Sequence, residues 1–320
     1  MKKMMLAVVI VNYRTPGLTI DCVESLLPEL QGISAGIVIV DNLSGDDSVK
    51  KIRSWIDEKV LSEAVMLIES PGNLGFSGGN NLGIKALSAD HYLLINSDTT
   101  AKPGAIRTLL ETSRKFPQAG IVSPKLVGIS GETQMSCFRF HRPFGELVDA
   151  AQTSIVDRLL KNHVVGLPFP EGMMEPEWTS FACVLIRSEV FAKTGLLDDK
   201  FFMYFEDVEF CHRMRRAGWT IVHNPEAEIV HFHGGSSSFE EQVRARKRLP
   251  KYYYEARTRY FYSLYGQKGL LAANLSCMLG LSIAYFRKWV QGLTIRSPEN
   301  RAIDIWLNFS CPEKKSSMLP

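Results

Sequence analysis

Four apolar runs of strand length in the N-terminal part of the chain restrict the fold more than any other sequence feature. They cover residues 6–11, 37–40, 65–68 and 92–95 and are rich in Val, Ile and Leu. Segments with the periodicity of amphipathic helices lie between them. This alternation predicts an α/β fold with a mainly parallel sheet that is flanked by helices on both faces.

Three of these runs end in side chains that carry oxygen. Asn12 follows the first run, Asp41 and Asn42 follow the second, and Asn96, Ser97 and Asp98 follow the fourth. In an open, Rossmann-like sheet, ligands bind beyond the carboxyl ends of the strands. Turn formation or helix capping explains each residue separately, but three such strand ends together favour one shared site. We therefore predict a nucleotide-binding crevice at this edge.

A glycine-rich segment, residues 73–81, joins the third run to a helical pattern. Backbone N–H groups near a helix start suit a diphosphate or sugar hydroxyls, although a plain turn explains the glycines equally well. The segment lacks the Lys-Ser/Thr ending of a P-loop. Gly75, Gly78 and Gly79 do not fit the dinucleotide fingerprint, which argues against a nicotinamide oxidoreductase. A nucleotidyltransferase is disfavoured because residues 11–16 do not form a basic glycine-rich loop.

Asp98 is a candidate metal ligand because oxygen ligands at a strand end suit Mg²⁺ or Mn²⁺ beside a bound diphosphate. A single carboxylate supplies few ligands, so phosphate oxygens and waters would fill most of the coordination sphere. His231 is a second candidate. If its segment is a strand, His233 points to the opposite face, and only one of the two histidines enters the site.

Glu206 and Asp207 lie in the first turn of a predicted helix, which carries Val208, Cys211 and Met214 on one face. The helix dipole stabilises negative charge at such a position, and capping alone would explain both carboxylates. Alternatively, one of them is a general base that deprotonates a hydroxyl. We expect the helix start to keep this base ionised at neutral pH.

The bulk composition is that of an ordinary globular protein. A formal net charge of +3 is too small to indicate nucleic-acid binding. The six cysteines include no pair with the spacing of a zinc or redox motif, which favours a reduced, cytoplasmic chain. Two lysines precede the first apolar run, but no small-residue cleavage site follows it, so we expect a buried strand there and not a leader peptide.

Together, these motifs resemble those of family 2 glycosyltransferases with the glycosyltransferase-A fold, and in particular the rhamnosyltransferase-like branch. The resemblance runs from about residue 8 to residue 238. Its carriers, in chain order, are residues 9–13, 38–42, 73–76, 79–81, 96–98, 202–209, 216–219 and His231.

The resemblance implies an inverting transfer of a sugar, specifically L-rhamnose from dTDP-L-rhamnose, to a glycan or polyprenyl-linked acceptor in bacterial cell-surface polysaccharide synthesis. Two alternatives stay open. The donor is a UDP-sugar, for example a galactofuranosyl or hexosyl donor, or the chain binds a sugar nucleotide with weakened catalysis. The acceptor linkage and the oligomeric state are not specified by the sequence.

The same resemblance assigns roles to particular residues. It implies that Asp207, with Glu206 beside it, is the catalytic base, and that Asp98 and His231 hold Mg²⁺ or Mn²⁺. The expected donor-binding residues are Asn12, Tyr13, Asp41, Asn73, Gly75, Asn80, Asn96 and Ser97, and the expected acceptor residues are Trp178 and Phe181. Two departures from the family pattern affect these roles. Asn96 stands where an acidic residue would strengthen the metal site, and Phe181 stands where relatives usually have Gly.

We expect residues 1–240 to form the catalytic domain, with a nucleotide-binding half over about 1–125 and an acceptor half over about 126–240. The remainder, residues 241–320, is predicted to be a basic and aromatic helical extension.

Within this extension, residues 270–286 are uncharged and are followed by Arg287 and Lys288. This segment is at the lower length limit for a membrane-spanning helix. We favour a helix that lies on the cytoplasmic surface of the membrane. The alternative is a helix buried against the catalytic domain.

Overall fold

The computed structural model describes residues 3–169, 171–232, 245–292 and 297–314. The strands are β1 (Met4–Asn12), β2 (Ala35–Asp41), β3 (Val65–Glu69), β4 (Ala89–Ile95), β5 (Thr99–Ala101), β6 (Ala119–Val127), β7 (Cys137–Phe138), β8 (Trp178–Thr179), β9 (Cys183–Arg187) and β10 (Thr220–His231). The helices are α1 (Pro16–Leu26), α2 (Ser48–Glu58), α3 (Gly75–Ala86), α4 (Ala105–Lys115), α5 (Pro143–Ala151), α6 (Ser154–Leu159), α7 (Ser188–Thr194), α8 (Glu206–Arg216), α9 (Lys251–Gln291) and α10 (Arg301–Asp304).

The main sheet has eight strands in the order β3-β2-β1-β4-β9-β6-β10-β5. The four apolar runs predicted from the sequence are confirmed as β1 to β4, and these strands are parallel. β9 is antiparallel to both of its neighbours, and β5 is antiparallel to β10. Since β1 and β2 pair in register at Asn12 and Asp41, the carboxyl ends of these strands meet at one edge of the sheet.

The core lies on both faces of this sheet because successive side chains of a strand point to opposite faces. In β1, Leu6, Val8 and Ile10 pack with α1, α2 and α4, whereas Ala7 and Val9 pack with α3, α7, α8 and α9. These strand residues are fully buried, and burial of each large aliphatic side chain is worth about 1.5–3 kcal/mol. The sheet is therefore a rigid base for the side chains at its edge.

Helix α9 is long and contains a break at Gly266, whose φ of 65° and ψ of −173° are not helical. Before the break, Ala256 and Tyr260 are part of the core on the α3 face of the sheet. After the break, Leu270 reaches the same core, and Cys277 packs in a smaller cluster with α5. Among the described residues, α9 is also the one helix that is long and apolar enough to cross a membrane.

A buried ion pair fixes α9 to α5. The Arg257 guanidinium donates two hydrogen bonds to Glu146 Oε2, at 2.9 and 3.1 Å, and a third to Asn274 Oδ1 at 2.8 Å. Both charged side chains are less than a tenth exposed. The C-terminal extension is thus built into the same core as the sheet. The predicted boundary between residues 240 and 241 lies outside the described residues and stays a prediction.

Candidate active site

The ends of β1 and β2 hold a buried network centred on Asp41. Asn12 Nδ2 donates to Asp41 Oδ1 at 2.7 Å, and the Ser44 hydroxyl donates to the same oxygen at 2.5 Å. The Thr19 hydroxyl donates to Asn12 Oδ1 at 2.8 Å. Because Asn12 is fully buried and its amide is already bonded on both sides, it orients Asp41 at the edge of the sheet. Ser44 does the same and was not identified from the sequence.

The glycine-rich segment is held to the end of β2 by Asn42, which follows Asp41 at the predicted strand end. Asn42 Nδ2 donates to Asn73 Oδ1 at 3.1 Å and to the Gly75 carbonyl at 3.0 Å, and its Oδ1 accepts from the Leu74 N–H at 3.0 Å. Asn80 lies within α3 and donates to the Phe76 carbonyl at 2.9 Å. The loop is therefore preformed and presents its backbone at the strand ends.

Gly75 permits a close contact between this loop and the segment that leads to α8. The Phe76 N–H donates to the Phe202 carbonyl at 2.8 Å. A Cβ atom at residue 75 would lie 2.0 Å from that carbonyl oxygen, and Gly75 also has a φ of +68°, which disfavours other residues. The glycine is therefore required by the packing of the two segments, whatever it contributes to ligand binding.

Replacing Gly75 by Ala is expected to lower the free energy of unfolding by about 3 kcal/mol, because both the clash and the backbone strain must be relieved. Urea denaturation measures the change. Gly17→Ala is the matched control, since an added Cβ there meets nothing within 4 Å. Equal stability of the two variants would contradict the close contact at Phe202.

The carboxylates Glu206 and Asp207 start α8, as predicted, and strained backbone precedes them. Tyr204 and Phe205 both have left-handed φ values, 70° and 65°, a conformation that costs about 1–3 kcal/mol for a non-glycine residue. The Phe205 ring packs 5.4 Å from the Tyr260 ring of α9, and the Tyr204 ring stacks on Tyr252 at 6.1 Å. The first part of α9 thus holds the strained turn in place.

Burial controls the protonation of both carboxylates. Loss of solvent raises the pKa of Asp207 to about 7, although the backbone N–H groups of Val208, Asp207 and Phe181 act in the opposite direction. Loss of solvent and the adjacent Asp207 charge raise the pKa of Glu206 well above its ordinary range. The expectation that the helix start keeps the base ionised is therefore wrong. Desolvation outweighs the helix dipole, and Asp207 changes charge near neutral pH.

Asp98 and His231 are brought together at the end of β4, next to the short strand β5. His231 pairs with Thr99 across the β5 and β10 ladder, and the Phe232 N–H donates to the Asp98 carbonyl at 2.8 Å. Asp98 Oδ1 lies 3.6 Å from His231 Nε2. Among the described residues, no group of three His, Cys, Asp or Glu side chains could hold a metal ion alone. His233 lies outside the described residues.

Gln134 fixes the tautomer of His231. Its Nε2 donates to the His231 carbonyl at 2.9 Å, so its Oε1 is the atom that lies 3.0 Å from His231 Nδ1. Since Oε1 can only accept, Nδ1 carries the proton and the lone pair of the neutral ring is on Nε2, which faces Asp98. One imidazole nitrogen and one carboxylate are donors that Mg²⁺ or Mn²⁺ accepts, and this pair fits a cation whose other ligands are phosphate and water.

Ser97 and Tyr13 complete the strand-end group. Ser97 Oγ lies 3.2 Å from the Thr15 hydroxyl, and the Asn96 carbonyl accepts from the Thr99 hydroxyl at 2.7 Å. The half-buried Tyr13 ring lies under the Arg14 guanidinium at 5.0 Å. The predicted donor residues are therefore clustered at the ends of β1, β2 and β4 and in the adjoining glycine-rich loop.

The two predicted acceptor residues have their rings in the interior. Trp178 is 8% exposed, stacks on Phe138 at 4.2 Å, and donates from Nε1 to the Arg139 carbonyl. Phe181 is 2% exposed and packs edge-to-face with Phe210 at 5.9 Å. Both rings are therefore packed in the interior, and the assignment of these residues to the acceptor site stays a prediction.

Comparison with known proteins agrees with this geometry. The model of the family described as "Glycosyltransferase like family 2" matches residues 4–249. The low-salt glycan biosynthesis hexosyltransferase Agl10 of Haloferax volcanii is 28% identical over 257 residues, which cover 76% of this chain and 74% of that protein. The N-acetylglucosaminyl-diphospho-decaprenol L-rhamnosyltransferase of Mycobacterium tuberculosis is 27% identical over 183 residues, which cover 52% of this chain and 58% of that protein.

A solved structure, that of GalNAc-T7 with UDP, GalNAc and Mn²⁺, superposes with a TM-score of 0.60 over 97% of this chain and 55% of GalNAc-T7. At 13% identity this likeness concerns the fold, which is the glycosyltransferase-A fold. The family match extends from β1 almost to the start of α9. The chain therefore belongs to the family 2 glycosyltransferases and is a glycosyltransferase with the glycosyltransferase-A fold.

Proposed function

We propose that the protein is an inverting transferase that moves L-rhamnose from dTDP-L-rhamnose to a glycan or polyprenyl-linked saccharide in bacterial cell-surface polysaccharide synthesis. The observation that carries the proposed reaction is the environment of Asp207. A partly buried carboxylate with a pKa of about 7 takes up a proton far better at neutral pH than a fully solvated one. The donor sugar is supported by the resemblance to the rhamnosyltransferase-like branch and by the mycobacterial relative.

In the proposed step, the acceptor hydroxyl oxygen forms a bond to the anomeric carbon while the bond from that carbon to the diphosphate oxygen breaks. The hydroxyl proton passes to Asp207, and the nucleoside diphosphate leaves with the electron pair of the broken bond. One displacement inverts the anomeric configuration. When bound, Mg²⁺ or Mn²⁺ supplies positive charge for the leaving diphosphate, and Asp98 and His231 would hold it.

In this proposal, the donor binds to the side chains at the ends of β1, β2 and β4. Asp41 and Tyr13 would contact the nucleoside, with Asn12 orienting Asp41. The loop from Asn73 through Asn80 would present its backbone to the diphosphate or the sugar, and Asn96 and Ser97 lie beside the metal ligand. Phe181 would act through its backbone N–H on Asp207, and Trp178 through the packing behind the acceptor site.

Gln134 is expected to raise the affinity for Mn²⁺ because it orients His231. Replacement of Gln134 by Leu removes both bonds to His231 and should weaken Mn²⁺ binding, measured by calorimetry in the presence of a nucleoside diphosphate, by about tenfold to a hundredfold. Gln118→Leu is the control, since Gln118 bonds to the Gly218 carbonyl instead. Unchanged Mn²⁺ affinity in Gln134→Leu would remove His231 from the proposed metal site.

A thermal-shift series tests the donor. Ligands that bind only the folded chain raise its stability, by about 2.7 kcal/mol at a hundred times the Kd. Stabilisation by dTDP-L-rhamnose with Mn²⁺, and not by UDP-sugars, is expected. Stabilisation by UDP-sugars alone would overturn the rhamnosyl assignment, and a product that retains the donor configuration, seen by NMR, would overturn the single displacement.

A hexosyl donor carried by UDP is the second candidate, and the haloarchaeal hexosyltransferase relative favours it. A binding protein with weakened catalysis is supported only by Asn96 at the position of an acidic residue.

We place the reaction at the cytoplasmic face of the membrane. A polyprenyl-linked acceptor lies there, and peripheral association of the enzyme would bring the catalytic base to it.

A further inference from the structure

The second part of α9 has an apolar face, with Ser282 within it, that the rest of the described chain does not cover. Leu271, Leu275, Leu279, Phe286 and Trp289 recur at helical spacing and are 40%, 54%, 54%, 63% and 81% exposed. Such spacing places them along one side of the helix. From Leu271 to Trp289 the face is about 27 Å long at a rise of 1.5 Å per residue. Scattered apolar side chains on a surface are ordinary, but five large ones along one side of a helix over this length mark an interaction site.

The opposite side of the same helix is fixed to the protein. Leu270, Ala273 and Cys277 are fully buried, and a Cβ at Gly280 would lie only 2.6 Å from the Leu147 carbonyl oxygen of α5. The buried Asn274 amide accepts the hydrogen bond from Arg257 described above. The helix therefore cannot cross a bilayer while the protein is folded, but it can lie along the surface of one.

The charged side chains on this part of α9 have one sign. No Asp or Glu occurs between Glu255 and Glu299, whereas Lys268 precedes the face and Lys288 lies near its end. Beside these cations are three exposed aromatic side chains, Tyr285, Phe286 and Trp289. Apolar residues flanked by Lys and Arg, with aromatic residues at the edge, are typical of a helix at a membrane interface.

Helix α6 lies near the end of α9 and also exposes apolar side chains. The Arg287 guanidinium donates to the Gln152 carbonyl at 2.7 Å, and α6 begins two residues after Gln152. On α6, Ile155 and Leu159 are 70% and 76% exposed, and the neighbouring Arg158 and Asp157, of opposite charge, are exposed as well.

We infer that the exposed face of α9 between Leu271 and Val290 docks on an anionic lipid bilayer, with the helix parallel to the membrane plane. The inference rests on the proposed function, in which the acceptor is linked to a polyprenyl lipid. The first part of α9 packs against Tyr204 and Phe205, just before the proposed base. Docking of α9 would therefore attach to the bilayer the same helix that supports the catalytic turn.

A second copy of the chain is the competing occupant, and the charges disfavour it. A symmetric contact between two such faces would bring Lys268 and Lys288 of both copies together without acidic partners on the helix. An anionic bilayer instead offers opposite charge along the whole face, worth about a fivefold gain in affinity per cation. Residues 233–244, the longest undescribed segment, are mostly polar in sequence and contain too few apolar side chains to cover this face.

Flotation of the full chain with vesicles tests the inference. The chain should float with vesicles of phosphatidylcholine and phosphatidylglycerol, and weakly with phosphatidylcholine alone. The double variant Leu275→Glu, Leu279→Glu should reduce vesicle binding by at least about a hundredfold, since two large apolar side chains no longer enter the lipid. The matched control Val60→Glu, Ile129→Glu alters two exposed apolar residues elsewhere, 84% and 77% exposed, and should float as the wild type does.

Two further measurements distinguish a bilayer from a second copy of the chain on this face. Lipids brominated near the headgroup should quench the fluorescence of Trp289, and Trp289→Phe should lose most of this quenching. Sedimentation without vesicles should give the same mass for the wild type and the Glu variant. A dimer that the Glu substitutions dissociate, or vesicle binding that they leave unchanged, would overturn the inference. Stabilisation by nucleotide sugars is measured without lipid, so the two tests are independent. If dTDP-L-rhamnose does not stabilise the chain, the vesicle result still holds. If the chain does not float with vesicles, the donor result still holds.

Discussion

Asp207→Asn is expected to reduce the rate of sugar transfer by about a thousandfold or more, while the chain stays folded and still binds the donor. The change removes the group that accepts the hydroxyl proton, and general-base contributions of about 10²–10⁴ are usual. Turnover with a saturating donor and acceptor gives the rate, and the thermal shift with donor and Mn²⁺ checks binding. Glu209→Gln is the matched control, because Glu209 lies on the same helix turn but pairs with Arg213.

The raised pKa of Asp207 gives the same prediction a dependence on pH. The wild-type rate should increase as the pH rises through about 7, where the carboxylate loses its proton. For stability the sign is opposite. A folded-state pKa above the unfolded one favours folding at low pH, and this contribution is lost as the pH rises through about 7. The melting temperature of Asp207→Asn should therefore equal or exceed that of the wild type above about pH 7.

A fully active Asp207→Asn protein would exclude Asp207 as the base. A variant that is inactive but also melts well below the wild type at every pH would show that the residue supports the fold, and the mechanism would then lack its central group.

Asp98→Ala is expected to abolish metal-dependent donor binding and to lower kcat/KM by at least about a hundredfold, since the leaving diphosphate loses its electrostatic stabilisation. Calorimetry with the donor, in the presence and absence of Mn²⁺, measures the effect directly. The wild type should bind more tightly with Mn²⁺, and the variant should bind equally weakly in both cases. Asp90→Ala, at the opposite end of β4, removes a carboxylate that pairs with Lys3 on the surface and should behave as the wild type does. Retained Mn²⁺ dependence in Asp98→Ala would place the metal elsewhere.

The sequence alone predicted the surroundings of Asp98 better than those of Asp207. Asp98 follows a continuous apolar run, and Asn12 and Asp41 follow two others. The strand ends were predictable because the pattern is local and parallel strands leave little choice of where their carboxyl ends meet. The position of Asp207 at the start of α8 was also predicted, because the helical pattern that follows it is local. Its pKa was not, because desolvation depends on chain segments that pack around it from elsewhere.

Contacts between distant segments account for the other residues that the sequence did not reveal. Gln134 and His231 are 97 positions apart, and no local pattern relates them. Gly75 was read as part of a ligand loop, whereas its contact with Phe202 depends on how α3 meets the turn before α8. Asn42 is part of a motif that was recognised, but its bonds to the glycine-rich loop could not be predicted, because they depend on how that loop packs against the end of β2.

The attachment of α9 has a practical consequence for work with the protein in solution. Shortening the chain before Lys251 would remove the apolar face, but it would also take Tyr260 and Leu270 from the core and expose the side of α5 that packs on α9. Burial of each large apolar side chain is worth about 1.5–3 kcal/mol, so the loss of several of them approaches the whole stability of a typical domain. Solubility is therefore better sought by polar substitutions at exposed positions such as Leu275 and Leu279, which leave the ion pair and the core intact.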